Sequence, residues 1–248
     1  MIQYFSERCG STFPLVFRRA NELQSESRLF FRDDCLDRLI GGLRVGQVTF
    51  LYGSSRCLAL SELLCIRSQI EFDREVIFID GGNSFDPYLL VQYAEENLLD
   101  RDRALDRTLV SRAFTCYQLT SLITQTLPTT VHERKIKLVI VSDLIDLYCD
   151  PDLRYNRSLD LFKTALNSLV TMAKVERAVV LTTSLGETPS QFLYAARQRA
   201  DVVLRLEERC RFTRLTVEKH PIHSGESLVI KESTPRVLEE FLEAIGDG

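Results

Sequence analysis

Long apolar runs, paired cysteines and an excess of basic charge are all missing from this chain of 248 residues, and each absence narrows what it does. The most apolar stretches, such as Leu138 to Val141 and Ala178 to Leu181, last only a few residues, whereas a membrane span needs roughly 20. No membrane partner is expected. Met1 to Ser11 carries Glu7 and Arg8 and lacks the apolar stretch of a secretory signal, so a reducing compartment is expected: the cytoplasm, or the nucleus in a eukaryotic source. The seven cysteines, Cys9, Cys35, Cys57, Cys65, Cys116, Cys149 and Cys210, are odd in number and form no C-x-x-C pair; they read as buried or incidental thiols. His220-Pro221-Ile222-His223 has no third ligand at a matching spacing, so no zinc site is expected, nor any other cofactor. With 31 basic against 35 acidic residues, bulk charge gives no reason to expect nucleic-acid binding, although a local basic patch is still open. Glycine (11) and proline (7) are modest, and the apolar (45%) and charged (27%) fractions are ordinary, which disfavours disorder, collagen-like repetition and a disulfide scaffold.

What is present is an alternation of short β-rich runs and helical stretches, the pattern of an α/β fold. Gln47 to Tyr52, Glu75 to Asp80, Thr108 to Arg112, Lys137 to Ser142, Ala178 to Thr183 and Asp201 to Leu206 are predicted strands. Most are continuous Val/Ile/Leu runs of the kind a parallel sheet buries on both faces. Ser158 to Lys174 repeats Leu159, Phe162, Leu166, Leu169 and Ala173 at helical spacing; Asp86 to Asn97 is a second helix with Pro87 in its first turn. Arg211 to Glu218 alternates polar and apolar residues and Glu226 to Ile230 follows a turn at His223-Ser224-Gly225, predicting an antiparallel edge hairpin on a mostly parallel sheet flanked by helices. The expected organisation is an N-terminal arm over residues 1–30, a core domain over 31–233 and an acidic tail or helix over 234–248.

In such a fold the turn after the first core strand is where a phosphate loop lies. Here it reads Gly53-Ser54-Ser55-Arg56-Cys57-Leu58-Ala59-Leu60. A P-loop needs G-x-x-x-x-G-K-[ST], and Leu58, Ala59 and Leu60 stand in place of the last glycine, the lysine and the hydroxyl. Upstream, Leu36-Asp37-Arg38-Leu39-Ile40-Gly41-Gly42-Leu43 with Gly46 resembles the approach to the P-loop in the RecA/RadA recombinase family. Val76-Ile77-Phe78-Ile79-Asp80 with Asn83 to Pro87, Val110 to Phe114, Leu138 to Asp143, Ala200 to Leu206 and Pro221 to Ile230 resemble its later strands in order and spacing. The resemblance covers about residues 13 to 233 and implies a RecA-like core. It also implies where chemistry is missing: the Walker B acid falls at Ser142, with Asp143 displaced by one; the water-activating Glu falls near Gly82; the sensor Asn-Gln falls at Thr183-Ser184. Phosphoryl transfer depends on charge stabilisation and an oriented water, so a degenerate site without ATP hydrolysis is expected.

Phe17-Arg18-Arg19-Ala20 resembles the family's F-x-x-A polymerisation motif, which implies that Phe17 and Ala20 bind a partner protomer. The family's two DNA loops correspond to Asp150 to Arg157 and to Gly186 to Arg199, which marks Arg154, Tyr155, Arg157, Arg197 and Arg199 as candidate contacts to single-stranded DNA. The family places an acidic residue just before the proline that is Pro221 here, and Lys219 occupies that neighbourhood. The reading is a recombinase paralogue without ATPase activity, an accessory subunit in homologous recombination and DNA repair. Its expected partners are a RadA-like recombinase or another paralogue, in a homo- or hetero-oligomer, with single-stranded DNA a candidate ligand. Two alternatives stay open: a divergent KaiC-like or recombinase-like ATPase with a site built from Arg56 and Asp143, and a self-associating regulatory scaffold with no DNA role.

Overall fold

The computed structural model describes residues 27–150, 154–186, 189–209 and 212–231. An eight-stranded sheet runs through it in the order β10-β9-β8-β3-β7-β6-β4-β5. The parallel strands are β3 (Val48–Gly53), β4 (Val76–Asp80), β5 (Thr108–Arg112), β6 (Leu138–Ser142), β7 (Val179–Leu185) and β8 (Val202–Arg209). β9 (Phe212–Lys219) and β10 (Ser227–Lys231) add antiparallel at one edge. This is the mostly parallel α/β core with an antiparallel edge hairpin that the sequence predicts. Every residue of β4 and β6 is buried, which explains their uninterrupted apolar runs: helices cover both faces.

One face packs under α5 (Cys116–Ser121), a π-helical turn Leu122–Thr126, α6 (Leu127–Arg134), α7 (Tyr155–Glu176) and α8 (Ser190–Arg199), around Phe50, Val139, Phe162, Leu169 and Phe192. The other packs under α1 (Asp34–Ile40), α2 (Arg56–Phe72), α3 (Pro87–Glu96) and α4 (Arg101–Asp106), around Leu51, Leu64, Phe78, Leu90 and Ile140. Local chemistry sets several helix ends. Asp86 caps α3 by accepting from the N–H groups of Tyr88 and Leu89, and Pro87 occupies a first-turn position that needs no donor. α7 stops where Arg177 turns left-handed at φ 52°. A short ribbon, β1 (Arg28–Leu29) against β2 (Leu43–Arg44), precedes β3, and Leu29 and Phe31 are buried. The core thus takes in Arg28 and Leu29, residues that the sequence suggests belong to the arm.

Cys57, Cys65 and Cys116 are buried free thiols and Cys149 is partly so. No helix among the described residues is long and apolar enough to cross a membrane. Phe17, Ala20 and the acidic tail lie outside the described residues. Parallel strands all end on one side of the sheet, the side where α/β folds place their ligands, and the turn after β3, Ser142, Asp143 and the start of α7 lie there.

Candidate functional site

Only Ser54 and Ser55 separate the end of β3 from Arg56, the first residue of α2. The turn closes on itself and on the sheet. The Cys57 N–H donates to Ser54 O (3.1 Å), the Leu58 N–H to Ser55 O (3.0 Å), the Ser54 N–H to Leu206 O on β8 (2.9 Å), and Gly53 O accepts from the Gly186 N–H beyond β7 (3.0 Å). A helix N-terminus binds anions because its first N–H groups are unpaired; at this one, the amides of Ser54, Cys57 and Leu58 already have protein acceptors. Gly53 sits at φ 123°, and a Cβ there would lie 2.1 Å from Leu206 O, so a glycine is what lets β3 end this close to β8. Leu58, Ala59 and Leu60 are consequently helical residues. The Arg56 Nε lies 3.4 Å from Glu208 Oε1.

At the end of β6, the Ser142 hydroxyl is fully buried and donates to Asp80 Oδ1 (3.2 Å). Asp80, also fully buried, accepts from the N–H groups of Ser84 (2.9 Å) and Phe85 (3.2 Å) and faces Arg112 Nε at 3.4 Å. Its carboxylate organises the loop after β4. Asp143 turns left-handed at φ 48°, and its Oδ1 accepts from the Leu185 N–H (3.1 Å) while its own N–H donates to Thr183 Oγ1 (3.0 Å). Burial raises its carboxyl above the usual range. Gly82 packs so tightly here that a Cβ on it would lie 2.9 Å from Asp143 Oδ2. Beneath the same loop, Glu62 of α2 accepts from the Asp86 N–H (2.8 Å). Burial pushes its carboxyl up to about 7; the Asp86 N–H opposes that rise, and the Asp86 and Asp80 charges add to it. Among the described residues, no group of three or more His, Cys, Asp or Glu side chains is arranged to hold a metal ion.

The candidate DNA residues divide into two groups. Arg154, Tyr155, Asn156 and Arg157 line an open cavity of about 770 Å³ at the start of α7. The Arg157 guanidinium sits 5.4 Å from the centre of the Tyr117 ring, and Tyr155 packs its edge toward Phe192. Neither arginine has an ion-pair partner among the described residues. The second segment is helical from Ser190 onward, as α8. Arg199 lines a groove of about 710 Å³ with Leu159, Lys163 and Tyr194, but Arg197 points elsewhere. It pairs with Glu218 Oε2 at 2.6 Å, donates to the Tyr52 hydroxyl and lies over the Tyr52 ring. The Tyr52 hydroxyl donates in turn to Glu218 Oε1 (2.7 Å), and burial, followed by the Glu218 hydrogen bond and charge, pushes its pKa up to about 12. Arg197 is a tie between β3, α8 and β9. Lys219 likewise turns inward, its Nζ donating to Arg197 O at 3.1 Å, where a cation complements the end of α8.

Sequence reasoning missed Glu62, Tyr52 and Glu218. Only Glu62 carried a signal, an acid within the mostly apolar run Leu58 to Ile66 of α2.

The model of the Rad51 family matches residues 32–231. The chain belongs to the Rad51 family. Relatives include the DNA repair protein RAD51 homolog of Solanum lycopersicum, 26% identical over 154 residues that cover 57% of this chain and 45% of that protein. The DNA repair protein Rad51 homolog of Drosophila melanogaster is 30% identical over 121 residues, 46% of this chain and 36% of that protein. The DNA repair protein RAD51 of Mycosarcoma maydis is 30% identical over 121 residues, 46% of this chain and 35% of that protein. The aligned part thus spans less than half the length of these curated Rad51 relatives. Family membership agrees with the sheet order and crossovers described above and with the RecA/RadA resemblance of the sequence.

Proposed function

We propose that this Rad51-family chain is a non-catalytic accessory subunit in homologous recombination and DNA repair, a pseudo-ATPase that binds a recombinase or another paralogue. The early start of α2 supports this most directly. Two residues after β3 leave no loop to curl around a phosphate, and the Cys57, Leu58 and Ser54 amides are bonded to Ser54, Ser55 and Leu206 respectively. Ser142 in place of an acid, a turned-away Asp143 and the absence of room for a side chain at Gly82 favour the same reading. The alternative ATPase site fares worse, since Arg56 faces Glu208 and Asp143 faces the Leu185 amide.

Incubation with Mg-ATP tests the proposal. The expected result is no phosphate release above the protein-free blank and no rise in melting temperature, because a ligand at a hundred times its Kd would stabilise the native state by about 2.7 kcal/mol. Turnover abolished by Asp143→Ala overturns it. The partner is tested by capture of a recombinase: association is expected with the wild-type chain and loss with Phe17→Ala, and capture indifferent to that change rejects the arm. Arg154 and Arg157, which have no ion-pair partner among the described residues, stand beside an open cavity and support single-stranded DNA as the ligand of this surface.

A further inference from the structure

Beyond the first turn of α7, the same edge of the molecule presents aromatic rings on a different element. Phe114 and Tyr117 stand at the junction of β5 and α5, where Thr115 caps the helix by accepting from the Gln118 N–H. Neither ring is buried: Phe114 is 69% exposed and Tyr117 43%. Tyr155 is 45% exposed on the α7 side. The two junctions are joined by the Arg157 guanidinium over the Tyr117 ring, a cation–π contact that holds a long, flexible side chain in one place. Aromatic faces set beside guanidinium groups suit single-stranded nucleic acid: phosphate meets the cations, and unstacked bases lie on the rings or on the guanidinium plane.

We propose that Phe114 and Tyr117 extend the Arg154 and Arg157 surface into a stacking shelf for single-stranded DNA, with Tyr117 positioning Arg157 and Phe114 receiving a base. This rests on the reading that the α7 edge binds single-stranded DNA, and it adds binding residues from α5 to it.

Stacking and phosphate contact have different salt signatures, and this separates the two claims. Affinity for a fluorescent oligothymidylate is measured across salt concentrations for the wild-type chain and for Phe114→Ala, Tyr117→Ala, Arg154→Ala and Arg157→Ala, each confirmed as folded by its melting temperature. Tyr88→Ala, an 85% exposed ring on α3, is the control. Arg154→Ala and Arg157→Ala should weaken binding and flatten the dependence of log K on log salt by about 0.7 each. Phe114→Ala should weaken binding on the order of tenfold with the slope unchanged. Tyr117→Ala should weaken binding by a similar factor, flatten the slope part of the way toward that of Arg157→Ala, and make the Arg157→Ala change less costly, since Arg157 has then lost its support. If the arginine variants weaken binding and the aromatic ones match the wild type, the shelf is wrong and the DNA reading stands. If the wild-type chain does not bind the oligonucleotide, the DNA reading fails and the shelf with it. Equal affinity and equal aromatic dependence with a duplex of the same sequence overturns base stacking. Loss of recombinase capture, with DNA affinity intact, in Phe114→Ala and Tyr117→Ala reassigns the rings to a protein contact.

Discussion

The end of β3 and the junction between α5 and α7 lie on the same side of one sheet, and they have opposite characters. At the first, most polar groups have partners within the chain: the Ser54, Cys57 and Leu58 amides have protein acceptors, Arg56 faces Glu208 at the surface, Ser142 is bonded to Asp80 and Asp143 to the Leu185 amide, while the Ser54 hydroxyl is buried without a partner among the described residues. At the second, Arg154 and Arg157 have no acidic partner among the described residues, and Phe114 and Tyr117 are open. A surface that has satisfied its own hydrogen bonds has little to offer a ligand. The contrast separates a closed region from an open one within one Rad51-family core.

The sharpest way to break the closed region is at Gly53. Gly53→Ala places a methyl 2.1 Å from Leu206 O at φ 123°, so β3 and β8 must separate; a loss of roughly 4 kcal/mol or more is expected, read as a fall in the urea midpoint. Gly186→Ala is the matched control. Its φ is also positive, 66°, but nothing lies within 4 Å of the added Cβ, so only the left-handed backbone cost of about 1 kcal/mol is expected. Equal losses at the two positions would show that β3 and β8 are less tightly apposed than their bonding implies.

Arg197 and Arg199 carry the comparison onto a single helix. Arg197→Ala leaves Glu218 without its ion pair and Tyr52 without a donor, an expected loss of about 1–2 kcal/mol for a half-exposed tie. Single-strand affinity should hold. Arg199→Ala should leave the melting temperature unchanged, and any effect it has should fall on DNA affinity and its salt slope.

Glu62 gives the closed region a pH signature. Its folded-state carboxyl is raised to about 7 from an ordinary value near 4.5, so the folded chain holds a proton that the unfolded chain has released between those values. The stabilising contribution is therefore complete below pH 4.5 and lost as pH rises through about 7. Glu62→Gln keeps an acceptor for the Asp86 N–H and removes the titration. The urea midpoint of the variant relative to wild type is expected to climb from pH 5 to pH 8; a constant difference would mean that Glu62 stays ionised in the fold.

How much of this was legible in the sequence depended on range. Strands β3, β4, β6 and β7 stand out because burial on both faces demands largely apolar residues, and α3 because Asp86 and Pro87 mark its start in the chain itself. The onset of α2 carries no such mark: Ser55 makes no side-chain cap bond, and the helix begins early because Gly53 is gripped between Leu185 and Leu206 of the flanking strands. Arg197 reads in the sequence as a DNA contact from its place after β7, while its partners Tyr52 and Glu218 lie on β3 and β9, and Tyr52 is 145 residues away in the chain. Leu58, Ala59 and Leu60 were visible as substitutions in a motif; the two-residue turn that removes the loop itself was not.

That distinction yields the smallest effect and the most pointed test. If residue types alone account for a site without nucleotide, then Leu58→Gly, Ala59→Lys and Leu60→Thr together rebuild the P-loop pattern and should confer binding. If the geometry of the turn decides, the same triple change only places a glycine, a lysine and a threonine inside an existing helix. Leu58→Gly then costs about 1 kcal/mol of helix stability, the other two changes add little at half-exposed positions, and Mg-ATP produces no rise in melting temperature. The second outcome is expected, because the Ser54 amide stays bonded to Leu206 and the Gly53 carbonyl to Gly186 whatever follows them. A nucleotide-dependent rise in the triple variant would show that α2 can unwind by a turn to make a loop, and that the closed junction is a consequence of Leu58 rather than of the strands that hold Gly53.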